Sequence, residues 1–371
     1  MMNGKLEDSA SMEVAALANK LKVDGVDVVS LAIGDTHFRL SSEIQERIKD
    51  AMLLNLTHYS LAQGEVELRE GISKSYGNAY SSDEIVITHG VKNGLYSYLL
   101  ATERSRVCAI EPAWLGYKGL CTLARKEYIG LNRKSENWIE RLSKLDFDIL
   151  LLCSPNNPDG YVYSNEELEK IYTIASSKGA EIVLDEIYKS FVYGKTISGV
   201  SSFHGNDRVV LLDGFSKSHA ATGLRVGYLA TKDRLLCREI VKIQQNAITC
   251  VNTISQHGLR DFGELDQVVE GYIQYYSKNR SLVAEYLPEM RNFEPQGGFY
   301  YFFDLRKFGI ELSAKEFCKG LLASVAVALI PGDAYGTGFD TYVRLSFCVD
   351  TADLTKGLIR LKKHIEKCKI Q

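Results

Sequence analysis

The sequence predicts an α/β protein, with a mostly parallel sheet covered by helices and a smaller α+β region after it. Three observations carry this. Short, continuous apolar runs recur: "IVIT" at 85–88, "VCAI" at 107–110, "DILLLC" at 148–153, "EIVLD" at 181–185 and "RVVLLD" at 208–213. Such runs suit strands buried on both faces. Between them lie stripes at helical spacing, such as Val91, Leu95, Tyr98 and Leu99, or Leu168, Ile171, Ile174 and Ala175. Strand and helix in alternation mean a parallel sheet with helices on its faces. Finally, 371 residues exceed one small core and predict about two domains.

Each element follows in order. Val14, Leu17, Ala18 and Leu21 form a helical stripe. "VDVVSLAIGD" reads as a short strand and a turn, and "SSEIQERIKDAML" as a helix capped by serine. "HYSLAQGEVELREGISKSY" is a loop that becomes a helix. After the strand series, a long helical pattern covers about 264–290. "GGFYYFFDL", "VALIPGD" and "YVRLSF" then suit a small α+β domain. The expected division is an N-terminal segment 1–40 folding back onto the small domain, a large domain 41–275 and a small domain 276–371.

The charge balance narrows the function classes. There are 44 basic and 47 acidic residues, net −3, mixed along the chain. No basic block suits nucleic acid, and no apolar stretch reaches membrane-spanning length, so a small-molecule partner is expected. The N-terminus lacks the basic head and apolar run of a signal peptide. The eight cysteines are scattered without metal-like spacing and read as reduced core residues of a cytoplasmic protein.

Three polar residues sit at or just past predicted strand ends. Asp185 ends "EIVLD", Asn157 follows "DILLLC" in "SPNNPDG", and Lys217 follows "RVVLLD" in "GFSKSHAATGLRVGY". Ligands of parallel α/β sheets bind beyond the carboxyl ends of strands. A lysine among small residues has room for a bulky group on its amine, and burial favours its nucleophilic form. Such lysines form Schiff bases with carbonyl compounds. Arg225, eight residues on, can clamp a phosphate with its planar fork. Lysine, arginine and a buried aspartate together suit pyridoxal 5'-phosphate (PLP), the aspartate keeping the pyridine nitrogen protonated. The plain alternatives are a solvated surface lysine, a turn asparagine and a helix-capping aspartate.

"GFSKSHAATGLRVGY" resembles the lysine signature of the fold-type I, class I/II PLP-dependent aminotransferases, and further matches keep the family's order over about 310 residues. The resemblance implies the PLP-dependent transferase fold. It implies that Lys217, flanked by Ser216, carries the cofactor, and that Arg225 binds its phosphate. "THGVKNGL" is similar to the family's phosphate loop, which assigns Gly90, Val91 and Lys92 to the anion. "EPAWLGY" places Trp114 on the pyridine ring. "SPNNPDG" places Asn157 on the ring oxygen. "LDEIY" supplies Asp185 for the ring nitrogen and Tyr188 for the oxygen. "YVRLSF" places Arg344 on the substrate carboxylate, and "LAIGD" places Gly34 beside the substrate. Tyr59, in "HYSLAQGEVELRE", implies a homodimer, since its counterpart serves the neighbouring subunit's cofactor.

The chain departs from the family's pattern at Thr36, where many relatives have proline, and at Lys92, where a small polar residue is more common. Gly214 stands where some relatives carry a phosphate-binding serine. His37 is expected to contact the substrate. The implied activity is amino transfer from an L-amino acid to a 2-oxo acid, with Lys217, Asp185 and Tyr188 as the catalytic residues. The same fold also hosts lyases and cyclases that eliminate from, or cyclise, hydroxylated or guanidino amino acids. A third reading, a non-catalytic regulatory domain, is disfavoured because such regulators carry an N-terminal DNA-binding module and the fold here is expected to begin within about 30 residues.

Overall fold

The computed structural model describes residues 10–196 and 198–369. Its strands, in chain order, are β1 Val29–Ser30, β2 Ile85–Thr88, β3 Arg106–Glu111, β4 Glu127–Asn132, β5 Ile149–Cys153 and β6 Glu181–Asp185. They continue with β7 Val209–Gly214, β8 Gly227–Thr231, β9 Tyr300–Asp304, β10 Val327–Ala328, β11 Ile330–Pro331 and β12 Tyr342–Ser346. The α-helices are α1 Ala10–Val23, α2 Ser42–Leu53, α3 Val66–Ser75, α4 Gly90–Ala101, α5 Gly116–Leu123 and α6 Trp138–Lys144. They continue with α7 Asn165–Ser177, α8 Arg234–Ala247, α9 Thr253–Leu259, α10 Asp266–Tyr286, α11 Ala314–Val325 and α12 Thr351–Lys369.

Seven strands form the main sheet in the order β2-β8-β7-β6-β5-β3-β4. Only β8 runs against its neighbours β2 and β7; the other pairs are parallel. The carboxyl ends of β2, β3, β5, β6 and β7 therefore share one edge. The apolar runs are continuous because both faces are covered. On one face Val107, Leu151, Val183 and Leu212 join Leu95 and Leu99 of α4 and Ile240 of α8. On the other, Cys108, Leu150, Leu152 and Ile182 meet Leu168 and Ile171 of α7. Cutting one such side chain to alanine would cost about 2–5 kcal/mol.

Two strands of this sheet, β4 and β8, are absent from the sequence-based expectation. β4 is an edge strand whose burial is mixed, with Glu127 and Gly130 exposed, so it lacks a continuous apolar run. β8 begins at the end of the stretch that carries the lysine motif, and its "GYLAT" is too short and small-residue-rich to stand out.

The second sheet is antiparallel, in the order β11-β12-β9. Its core joins Tyr301, Phe303, Val343 and Leu345 to Val283 of α10, Phe317 of α11 and Leu358 of α12. The N-terminal stretch reaches this region: β1 pairs in parallel with β10, Val29 opposite Val327. Helix α2 starts at a serine cap, as expected, and two further helices start in the same way. Ser41 accepts from the Ile44 N–H, and Ser164 with Glu167 and Ser313 with Glu316 form capping boxes. Helix α10 runs unbroken through residue 275, the expected end of the large domain. No helix among the described residues is long and apolar enough to cross a membrane.

Candidate active site

A cavity of about 340 Å³ opens at the shared strand edge. Asp185, Asn157, Tyr188, Ser216, Lys217, Arg225, Trp114, Val91, Lys92, Gly34 and Arg344 all line it. Residues spread over more than 300 positions of sequence thus meet because parallel strands end together and because the N-terminal loop and β12 close the far wall.

Lys217 sits in the turn after β7, and its ammonium donates to the Gly34 carbonyl at 2.7 Å. Loss of hydration pushes its pKa below the ordinary lysine value, with Arg344 and Arg225 adding to the effect and Cys348 and Asp35 opposing it. Gly34 has a steric reason to be glycine. A Cβ there would fall 1.6 Å from the Tyr300 hydroxyl.

Asp185, at the tip of β6, is 3% exposed. The Tyr117 hydroxyl donates to its Oδ2 at 2.8 Å, and the Ile187 N–H donates to Oδ1 at 3.1 Å. Burial pushes its carboxyl pKa up to about 6, against the pull of those two hydrogen bonds and with the help of nearby Asp213 and Glu186. Among the described residues Asp185 forms no ion pair, and a protonated ring nitrogen would supply a cation.

The opposite wall is a linked polar chain. Arg344 is buried, donates from Nη1 to Asn157 Oδ1 at 3.0 Å and from Nη2 to the Ala32 carbonyl, and lies over the Tyr300 ring. Its Nε is buried without a hydrogen-bond partner, leaving a donor for an incoming anion. Asn157 Nδ2 lies 3.5 Å from the Tyr188 hydroxyl, which is 2.8 Å from the Tyr300 hydroxyl. Burial raises the Tyr188 pKa well above the ordinary phenol value, so the group stays protonated.

At the other end, α4 starts at Gly90, whose φ of +74° is a left-handed conformation. A Cβ on Gly90 would meet Arg225 Nη2 at 2.5 Å. Helix N–H groups and a guanidinium thus converge, as phosphate binding requires. Gly90 touches Arg225 rather than the cavity wall itself. Trp114 meets Tyr117 edge-on, and the Lys92 ammonium stands 5.2 Å from the Trp114 ring centre. Lysine, buried aspartate, anion cradle and flat indole together fit PLP.

Besides Gly90, two expected residues are not brought to the cavity. His37 is exposed, its ring against Phe38 and Tyr275, and its Nδ1 lies 3.3 Å from the Tyr276 hydroxyl. The turn after Gly34 carries it outward to α10, so the structure does not support a substrate contact from His37. Tyr59 is 85% exposed and does not line this chain's own cavity. Sequence reasoning missed Tyr117 and Tyr300. Both lie inside stretches already singled out, "EPAWLGY" and "GGFYYF". The signal was a tyrosine three residues after Trp114, and a strand-start tyrosine facing Gly34.

The fold and this site define a PLP-dependent enzyme of the aminotransferase type. The chain belongs to the class I and II aminotransferases, whose family profile matches residues 26–361. It is 33% identical to the aspartate aminotransferase of Thermotoga maritima, covering 95% of this chain and 96% of that one. It is 31% identical to aromatic-amino-acid aminotransferase 2 of Thermococcus litoralis, covering 92% and 93%. A crystal structure of Thermotoga maritima aspartate aminotransferase superposes with a TM-score of 0.89 at 31% identity, covering 97% and 98%. The protein is therefore a PLP-dependent aminotransferase.

Proposed function

We propose that Lys217 holds PLP and that Arg344 receives the α-carboxylate of an L-amino acid. The observation that carries this reading is the meeting of Lys217, Asp185 and the Arg344–Asn157 pair around one cavity. Bound PLP supplies an electron sink for the substrate's α-carbon. Arg344, braced by Asn157 and the Ala32 carbonyl, holds the carboxylate with its partnerless Nε and so fixes the direction of the Cα–H bond. Lys217, with its lowered proton affinity, would be the base that moves the substrate's α-proton. Asp185 accepts the cation at the ring nitrogen. Asn157 and Tyr188 donate to the ring oxygen. The α4 N-terminus from Gly90 to Lys92, Ser216 and Arg225 bind the phosphate, and Trp114 covers the ring.

Borohydride reduction of the PLP-loaded protein, followed by peptide mass spectrometry, tests this. Label on Lys217 is expected, and label on another lysine refutes the assignment. The relatives named for aspartate and aromatic amino acids support an amino acid and a 2-oxo acid as the partners.

The active form in this reading is a homodimer. Met52, Leu53, Leu54, Tyr59 and Leu61 expose large apolar surfaces within one short stretch, which suits burial against a second copy and delivery of Tyr59 to its site. Light scattering checks it: the mass of a single chain at full activity would refute it. The division at 41–275 and 276–371, with the first 40 residues attached to the smaller part, belongs to the same proposal, α10 bridging the junction. Eight unpaired cysteines, most of them buried, support a reducing compartment, the cytoplasm.

A further inference from the structure

Behind the sheet, away from the cavity, lies a second cluster of ionisable side chains. Asp213 and Glu186 are 3% and 0% exposed. Asp213 Oδ2 accepts from the Lys189 ammonium at 2.7 Å, the Tyr228 hydroxyl at 2.7 Å and the Tyr76 hydroxyl at 3.0 Å. Glu186 meets His204 Nε2 at 2.9 Å and Tyr76 at 3.2 Å. Lys189 also donates to the Tyr76 hydroxyl at 2.6 Å. Burial keeps the Tyr76 and Tyr228 phenols protonated, so they act as donors. A single hydroxyl hydrogen on Tyr76 serves one carboxylate at a time.

The position of this cluster is its interest. Glu186 directly follows Asp185, and Asp213 directly follows Leu212, the cross-strand partner of Asp185. Alternation along a strand sends Asp213 and Glu186 to the face opposite Asp185. Asp213 Oδ1 also accepts from the Gly214 N–H, where the Lys217 turn begins. We propose that Asp213 and Glu186, with the Lys189 ammonium on Asp213 and the His204 ring on Glu186, act as positioning residues that set how firmly the Asp185 end of the site holds a proton. The proposal rests on the reading that Asp185 faces the ring nitrogen. Both carboxylates raise the affinity of Asp185 for a proton, in addition to burial. The other ionisable neighbours of Asp185 are Tyr117 from α5 and Cys153 at the end of β5. The cluster also faces Tyr80, before β2, and His219, in the Lys217 loop.

Charge sign makes the test specific. The visible absorption of PLP-loaded protein is titrated with pH in the parent, Asp213→Asn, Glu186→Gln, Lys189→Met and Asp185→Asn. Removing a negative charge lowers the midpoint; removing the positive charge raises it. Each shift is expected to be on the order of half a pH unit, as for one charge acting through a partly buried path. A merely structural role would move Asp213→Asn and Lys189→Met in the same direction, and that result overturns the proposal. Unmoved midpoints in all three cluster variants, with a shifted Asp185→Asn, overturn it too while leaving the Asp185 assignment standing. An unchanged Asp185→Asn overturns both. Lys189 is one-third exposed, so its substitution keeps the test available if a carboxylate variant does not fold.

Discussion

Asp185→Asn should make the cofactor-free protein more stable while weakening its hold on PLP. In the folded chain, burial raises the Asp185 pKa from its ordinary 3.8 to about 6. A raised acid pKa favours the folded state only while the group is protonated. The contribution is complete below pH ~4, the unfolded value, and disappears as pH rises through about 6. The difference of about two units corresponds to about 3 kcal/mol lost between those limits. Asparagine carries no charge, so the variant avoids that loss. Its amide still accepts from the Ile187 N–H and can donate to a rotated Tyr117 hydroxyl, at a cost of about 1 kcal/mol for imperfect geometry. Urea unfolding of both cofactor-free proteins from pH 4.5 to 8.5 should show a gap that widens with pH to about 2 kcal/mol in favour of the variant. With PLP present the order should reverse, because ligand binding stabilises in proportion to affinity. A gap that is constant with pH, or that favours the parent at pH 8 without PLP, refutes the reasoning.

The other expectations can be checked together. Arg344→Lys loses the fork that spans Asn157, Ala32 and the substrate, and should lower kcat/KM roughly 30-fold or more, read by steady-state kinetics, with PLP affinity little changed. Gly90→Ala places a Cβ against Arg225 in a left-handed conformation and should weaken PLP binding about tenfold in a fluorescence titration. Tyr117→Phe removes one donor from Asp185 and should cut kcat several-fold without moving KM. His37→Ala should leave KM within about twofold, because the ring packs on Phe38 and Tyr275, and should lower stability by about 1 kcal/mol in thermal unfolding.

The strands β2 and β6 match the apolar runs to the residue, because a strand covered on both faces writes itself as an uninterrupted apolar word. The helix start at Ser41 is equally local, requiring only a side-chain oxygen and nearby N–H groups. The edge strand β4 escaped because one side of it faces solvent and its pattern is broken. The departures at Thr36 and His37 were visible, but their meaning was not. Thr36 bonds to Tyr276 at 2.5 Å, some 240 residues away, tying the loop to α10.

The sequence by itself determined the class of chemistry: a lysine among small residues, a strand-end aspartate and an arginine eight residues after the lysine suit the cofactor, and the resemblance of that segment to the aminotransferases names it. Tertiary structure alone decided how those groups are tuned. Burial, helped by Asp213 and Glu186 and opposed by the Tyr117 hydrogen bond, sets the proton affinity of Asp185, and Arg344 keeps Nε without a partner while Nη1 and Nη2 reach Asn157 and Ala32. Local spacing reports which groups a turn can present. Proton affinity and donor availability depend on burial and on distances between segments far apart in the chain, and these exist only once the strands end side by side.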